Sequence, residues 1–188
     1  MTRIIALSGS LRRASLNTAL VNAARDLFPD QVEVATVHGI PLYDGDLEEA
    51  QGIPDAVEQL KQRIAESDGL LISSPEYNNS VPGVLKNAMD WLTRPSDDVP
   101  RVWHGLPVAV TGATPGGFGT TLAQAAWLPV LRTLNTRPWF EGRLMVSRAH
   151  ESFEADGALD DDALRERLRK FVQGFIEFAG HANRSRAP

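Results

Sequence analysis

The segment from Gly69 to Trp91, GLLISSPEYNNSVPGVLKNAMDW, changes character twice. It opens with the apolar run Leu70-Leu71-Ile72, breaks into a polar loop from Ser73 to Ser80, and resumes with helical spacing. Val81, Val84, Leu85, Ala88 and Leu92 recur at three- and four-residue steps, which places them on one helix face. Pro82 falls in the expected first turn, where a missing N–H costs little, and Ser80 is the expected N-cap. The segment therefore reads as strand, loop, helix. In an open parallel sheet ligands bind beyond the carboxyl ends of the strands, which is where Ser74-Pro75-Glu76-Tyr77-Asn78 lies. A flat aromatic, an amide and backbone N–H groups suit a planar heterocycle with imide and carbonyl edges. An ordinary turn shaped by Pro75 and Asn78 is the structural alternative.

A second joint of this kind stands at the start of the chain. Ile4-Ile5-Ala6-Leu7 has strand length and no polar alternation, as expected of a strand buried on both faces. Gly9-Ser10-Leu11-Arg12-Arg13-Ala14-Ser15-Leu16-Asn17 follows, and then a helix with Leu16, Leu20, Ala23 or Ala24, and Leu27 on one face, ended by Pro29. A helix N-terminus attracts anions. Ser8, Ser10, Ser15, Asn17 and Thr18 supply small polar groups around it, and Arg12 a charge. The loop has neither the G-x-x-x-x-G-K-[ST] nor the G-x-G-x-x-G pattern, so it suits a terminal monophosphate. Ser15 as a plain helix cap, with solvated arginines, is the alternative.

PEYN followed by S-V-P-G-x-L-K-N-A-x-D-W resembles the NADPH-dependent FMN reductase family of flavodoxin-like proteins, which includes soluble quinone, chromate and azo-dye reductases. GSLRxxSxN resembles the phosphate loop of the same family, and IPLYDGDLE, within the Gly39–Gly52 loop, is similar to it too. The resemblance spans roughly Arg3 to Phe178. It implies an FMN whose phosphate is held by Ser10, Arg12, Ser15 and Asn17, with Ser8 and Thr18 also among the cofactor-binding residues. It implies that Pro75, Glu76, Tyr77 and Asn78 edge the isoalloxazine, and that Thr114, Gly116 and Gly117 lie along it. Relatives often carry two glycines where this chain has Gly119-Thr120. Electrons would pass from NADPH or NADH through the flavin N5 to quinones, azo or nitro compounds, or metal oxyanions such as chromate, with no catalytic side chain. A homodimer or dimer of dimers is implied, with Trp91, Trp103 and Trp127 as candidates for the shared surface or for buried core.

The rest of the chain fits one α/β domain over residues 1–188. Val32 to Val37 alternates like a strand nearer the edge. Tyr43, Asp44 and Asp46 shape a surface loop or a subunit contact. Pro54 opens a helix with Val57, Leu60 and Ile64 on one face. Thr93 to His104 reads as a polar connection, Leu106 to Gly112 as a fourth strand, Thr121 to Leu134 as a helix, and Arg143 to Val146 as the last strand. Asp160, Asp161 and Asp162 precede a helix whose face is Leu164, Leu168, Phe171, Val172, Phe175 and Ile176. The tail from about His181 is expected to be disordered. Five strand–helix units imply a three-layer flavodoxin-like sandwich, a five-stranded parallel sheet in the order 2-1-3-4-5.

Composition narrows the chemistry. Without cysteine, disulfides, thiolate catalysis and Cys-ligated metals are excluded, in keeping with a reducing cytoplasm. A net charge of −5 gives no electrostatic reason for a nucleic-acid or membrane partner. The first residues lack the apolar run of a signal peptide. His38, His104, His150 and His181 share no metal-ligand spacing, so no metal is expected. Glu76 is read as shaping its loop, because a flavin carries its own redox chemistry. A flavodoxin-type electron carrier and a flavin-binding sensor are the competing readings.

Overall fold

The computed structural model of the chain describes residues 1–182. Strands β1 (Ile4–Ser8), β2 (Val32–Thr36), β3 (Gly69–Ser73) and β4 (Pro107–Ala113) run parallel in the order β2-β1-β3-β4. The fifth position is split. β5 (Arg137–Pro138) pairs with the start of β4 and β6 (Met145–Val146) with its end. This is the flavodoxin-like order 2-1-3-4-5.

Strand residues divide strictly between the two faces. Ile5, Leu7, Leu70, Ile72 and Val108 join the core beneath α3 (Asp55–Ala65), α4 (Gly83–Trp91), α5 (Val99–Trp103) and α6 (Thr121–Thr133). Ile4, Ala6, Leu71 and Ala109 face the core under α1 (Leu16–Leu27) and α7 (Asp162–His181). Burial on both sides is why the runs Ile4 to Leu7 in β1 and Leu70 to Ile72 in β3 are uniformly apolar. Each fully buried Ile or Leu contributes roughly 1.5–3 kcal/mol of transfer free energy. The amphipathic faces read from the sequence are the buried ones: Val57, Leu60 and Ile64 in α3, and all six apolar positions named for the last helix. Asp161 caps α7, its Oδ1 accepting from the Leu164 N–H at 2.9 Å.

Several expectations are corrected. Pro82, not Ser80, is the N-cap of α4, and no side chain caps that end. Ser80 instead closes a turn with Tyr77. The Gly39–Gly52 loop contains a short helix, α2 (Gly45–Gln51), capped by Asp44. The connection after Thr93 holds a 3₁₀ turn at Ser96–Asp98 and α5. Of the expected last strand only Met145 and Val146 pair; the chain leaves β4 after Trp139, whose ring fills the space a Cβ on Gly142 would need. α7 extends through His181, and the remainder of the expected tail beyond 182 lies outside the described residues. Trp91, Trp103 and Trp127 are fully buried within this chain, so they form no subunit surface. Each satisfies its indole N–H internally, on Pro41 O, Leu92 O and Ser74 Oγ respectively. Among the described residues no helix is long and apolar enough to cross a membrane.

Candidate functional site

The loops after β1, β3 and β4 leave the same sheet edge side by side, because Ser8 pairs in register with Ser73, and Ser73 with Thr111. Backbone bonds carry the alignment one residue further: Gly9 N–H donates to Ser73 O at 2.9 Å and Ser74 N–H to Thr111 O at 2.8 Å. Gly9 lets Leu85 pack directly against the first loop, since a Cβ there would come within 2.5 Å of Leu85 Cδ2 and push that side chain aside.

One side chain binds all three loops. Asn17, in the first turn of α1 and 4% exposed, accepts at Oδ1 from Ser73 Oγ (2.9 Å) and Ala113 N–H (3.0 Å), and donates from Nδ2 to Ala113 O (2.9 Å). Ser8 and Thr18 pair their hydroxyls at 2.7 Å. Asn17, expected to hold the phosphate, and Ser8 and Thr18, expected at the cofactor, make these bonds in the floor beneath the loop.

Above that floor the first loop forms a basin of donors. Ser15 caps α1, its Oγ accepting from Thr18 N–H at 3.1 Å, and Ser10 Oγ accepts from Arg12 N–H at 3.2 Å. The backbone N–H groups of Leu11 and of residues 13–17 have no acceptor among the described residues. Arg12 and Arg13 are exposed, and neither pairs with a carboxylate among the described residues. Unpaired N–H groups at a helix N-terminus beside two free guanidinium groups make an anion site. Arg13 was missed in the sequence, where it looked interchangeable with any solvated arginine.

The central loop is a hairpin turn. Tyr77 and Ser80 exchange both backbone bonds at 3.1 Å, and Asn78 and Asn79 hold φ of 50° and 62°. That is a type I′ turn, for which paired asparagines are a known signal; Asn79 was not singled out in the sequence. Pro75 is buried, whereas Tyr77 and Asn78 are exposed. Glu76 reaches across to α6, its Oε2 accepting from Leu122 N–H (2.8 Å) and Ala123 N–H (2.9 Å). It caps that helix and ties the second loop to the third, which is the shaping role expected of it.

In the third loop, Thr114 Oγ1 accepts from Gly116 N–H at 3.1 Å. The segment is zipped to the chain after β6: Arg148 N–H donates to Gly116 O and Ala149 N–H to Thr114 O. Gly116 and Gly117 border open space; a Cβ on Gly117 would meet nothing within 4 Å. Gly119 and Thr120 both adopt positive φ, 62° and 61°. Where the resemblance leads to an expected second glycine, this chain holds a fully buried β-branched residue in the left-handed region, whose side chain occupies the space beside Gly112.

The loop after β2 braces the site. Pro41 O accepts from Trp91 Nε1 and from Asn87 Nδ2, and Tyr43 stacks edge-on against Trp91 at 4.9 Å. Tyr43 OH donates to Glu48, which also pairs with Arg94. The bond to Glu48 raises the Tyr43 pKa, and the bonds from Arg94 and then Tyr43 hold the Glu48 carboxyl below its ordinary range. Tyr43, Asp44 and Asp46 thus shape a loop: Asp44 accepts from Asp46 N–H to start α2.

The residues present fit FMN. A basin of unpaired N–H groups with free guanidinium groups matches a phosphate, and an exposed tyrosine, exposed asparagines and uncrowded glycines border space for a planar ring.

Comparisons with known proteins agree with this geometry. The family model for NADPH-dependent FMN reductase matches residues 2–151. The chain is 40% identical over 173 residues to an NAD(P)H-dependent FMN reductase of Pseudomonas aeruginosa, covering 91% of each chain. It is 36% identical over 177 residues to a 2-hydroxy-1,4-benzoquinone reductase of Burkholderia, covering 93% of this chain and 92% of the relative. Among solved structures it resembles FerB, a flavoenzyme NAD(P)H:(acceptor) oxidoreductase of Paracoccus denitrificans, with TM-score 0.84, 34% identity and coverage of 97% and 99%. With a matching family model over most of its length, and relatives this similar end to end, the chain belongs to the NADPH-dependent FMN reductase family.

Proposed function

We propose that this protein is a single-domain, FMN-dependent NAD(P)H oxidoreductase that delivers electrons to quinones, azo or nitro compounds, or metal oxyanions such as chromate. The observation that carries the reading is the unpaired N–H basin at the start of α1, aligned on one sheet edge with an open, glycine-lined loop. Ser10, Ser15, Arg12, Arg13 and the free N–H groups hold the phosphate. Asn17, Ser8 and Thr18 keep that basin in register with β3 and β4. Pro75, Tyr77, Asn78 and the N–H groups of Glu76 and Asn78 edge the ring on one side; Thr114, Gly116 and Gly117 lie along it. When bound, FMN supplies hydride acceptance from the nicotinamide and electron transfer to the second substrate. The protein binds and orients both, and no side chain is assigned a proton to move.

The names of the similar proteins support a nicotinamide donor and a quinone acceptor for this chain. Exposed Leu11, Leu42 and Tyr77, on the loops after β1, β2 and β3, support a homodimer or dimer of dimers whose contact lies near the cleft. The absence of cysteine supports a reducing, cytoplasmic setting. The test is steady-state NADPH oxidation with a soluble quinone. FMN-dependent turnover is expected; an FMN-loaded protein that does not consume NADPH would be an electron carrier or sensor instead.

A further inference from the structure

We propose that the gap between β5 and β6 is a second ligand site, which takes a small aromatic carboxylate. The starting point is the backbone of β4. Ser74 N–H donates to Thr111 O, so odd-numbered β4 residues bond toward β3. Even-numbered residues bond toward the split strand: Trp139 N–H donates to Val108 O at 2.8 Å, and Thr114 N–H donates to Val146 O at 2.9 Å. Val110 lies between these two points. The alternation turns its N–H and C=O toward the gap, and neither has a hydrogen-bond partner among the described residues. Interior strands rarely leave such a pair unmet.

The gap opens into a cavity of about 270 Å³, walled by Val108, Val110, Leu131, Trp139 and Phe140. Phe140 at its edge is 65% exposed, a large apolar surface that no described residue covers. The cavity follows the outer edge of β4, whereas the anion basin follows β1, two strands away.

Charge selects the ligand. From Val99 to His150 the chain carries five arginines and a single carboxylate, Glu141, although the whole chain has a net charge of −5. Arg101 is paired with Asp98, and Arg137 lies over the Phe178 ring. Arg143 lines the cavity and has no ion-pair partner among the described residues; Glu141, two residues away, is likewise unpaired. An aromatic ring satisfies the walls, and a carboxylate oxygen satisfies the Val110 N–H and Arg143, while the C=O of the half-buried Val110 keeps its contact with water. A neutral hydrocarbon leaves the N–H unmet, and a cation is opposed by Arg143. A peptide strand or a second copy needs a longer edge, and the gap frees only Val110.

The test is calorimetric titration with 2-naphthoate, with and without saturating FMN, and with 2-naphthamide as the neutral analogue. Naphthoate is expected to bind one per chain at a Kd on the order of 100 µM, in either condition. The amide and Arg143→Gln should each weaken binding by about tenfold, the size of one charge-assisted contact. Ala125→Phe, at an exposed α6 position on the cavity lining, should abolish binding, with FMN affinity unchanged in both variants. The proposal is overturned if naphthoate gives no binding heat, if FMN displaces it, if Ala125→Phe binds it normally, or if the amide and Arg143→Gln bind as tightly as the parent pair.

Discussion

Asn17 shows how much one side chain can do in this molecule. Its amide uses both ends to join α1 to β3 and β4 in a buried site. Replacing it with alanine leaves the Ser73 hydroxyl and the Ala113 N–H and C=O without partners. Each orphaned buried group costs about 1–3 kcal/mol, so Asn17→Ala should lower stability by roughly 3 kcal/mol and loosen FMN binding indirectly. A urea midpoint equal to that of the parent would show that the clamp is unimportant. Asn78 poses a different residue-scale question, because its φ of 50° favours Gly or Asn over other residues. Asn78→Gly should fold with native stability, whereas Asn78→Ala should lose about 1 kcal/mol through left-handed strain. The pair also separates strain from ligand contact: a ring contact by the amide predicts weaker FMN binding in both variants, strain alone in only the alanine variant. Asn17 could be found in the sequence by its motif, yet its bonds could not, since its partner Ala113 lies far along the chain and only the closed sheet brings them together.

At the scale of elements, the long apolar periodicities were readable because they record burial directly. The faces of α1, α3 and α7 and the apolar runs of β1 and β3 are of this kind. The short elements were not. α2 buries no residue, so it leaves no apolar period to detect. α5 is short, and its Trp103 is buried through tertiary packing. The segment before it is anchored by charge: Lys61, almost fully buried, pairs with Glu58 at 2.6 Å and Asp98 at 3.0 Å and donates to Arg94 O at 2.9 Å. Arg101, with Lys61, holds the Asp98 carboxyl down to about 2. The folded value lies below the ordinary carboxylate range of about 3.9. The resulting stability is therefore complete above that range and is lost as pH falls from about 4 toward 2. Acid unfolding curves should accordingly be steeper across this window for the parent than for Asp98→Asn. Superimposable acid profiles would mean the cluster is screened by solvent.

For the whole molecule, sheet order is what converts separate motifs into one site. The sequence placed the motifs after its first and third strands, and the order β2-β1-β3-β4 makes those strands neighbours. The split of the fifth strand was invisible beforehand, because each half is only two residues long and leaves no periodicity to read. Assembly of the cleft from loops predicts separable functions. Arg12→Ala combined with Ser15→Ala should weaken FMN binding at least tenfold, given roughly 1.5–3 kcal/mol per charge-assisted bond, while leaving the fold intact. Unchanged FMN affinity in a titration of that double variant would remove the phosphate assignment. Light scattering at micromolar concentration with FMN should give at least a dimer mass; a monomer would refute the assembly proposed.

The most direct measurement is the visible absorbance spectrum of the purified, FMN-loaded protein, titrated with NADPH without air and then with a quinone. Flavin bands that travel with the protein, bleach on adding NADPH and return on adding quinone are the predicted result. A protein that retains no flavin, or whose bound flavin bands persist in excess NADPH, would contradict the account.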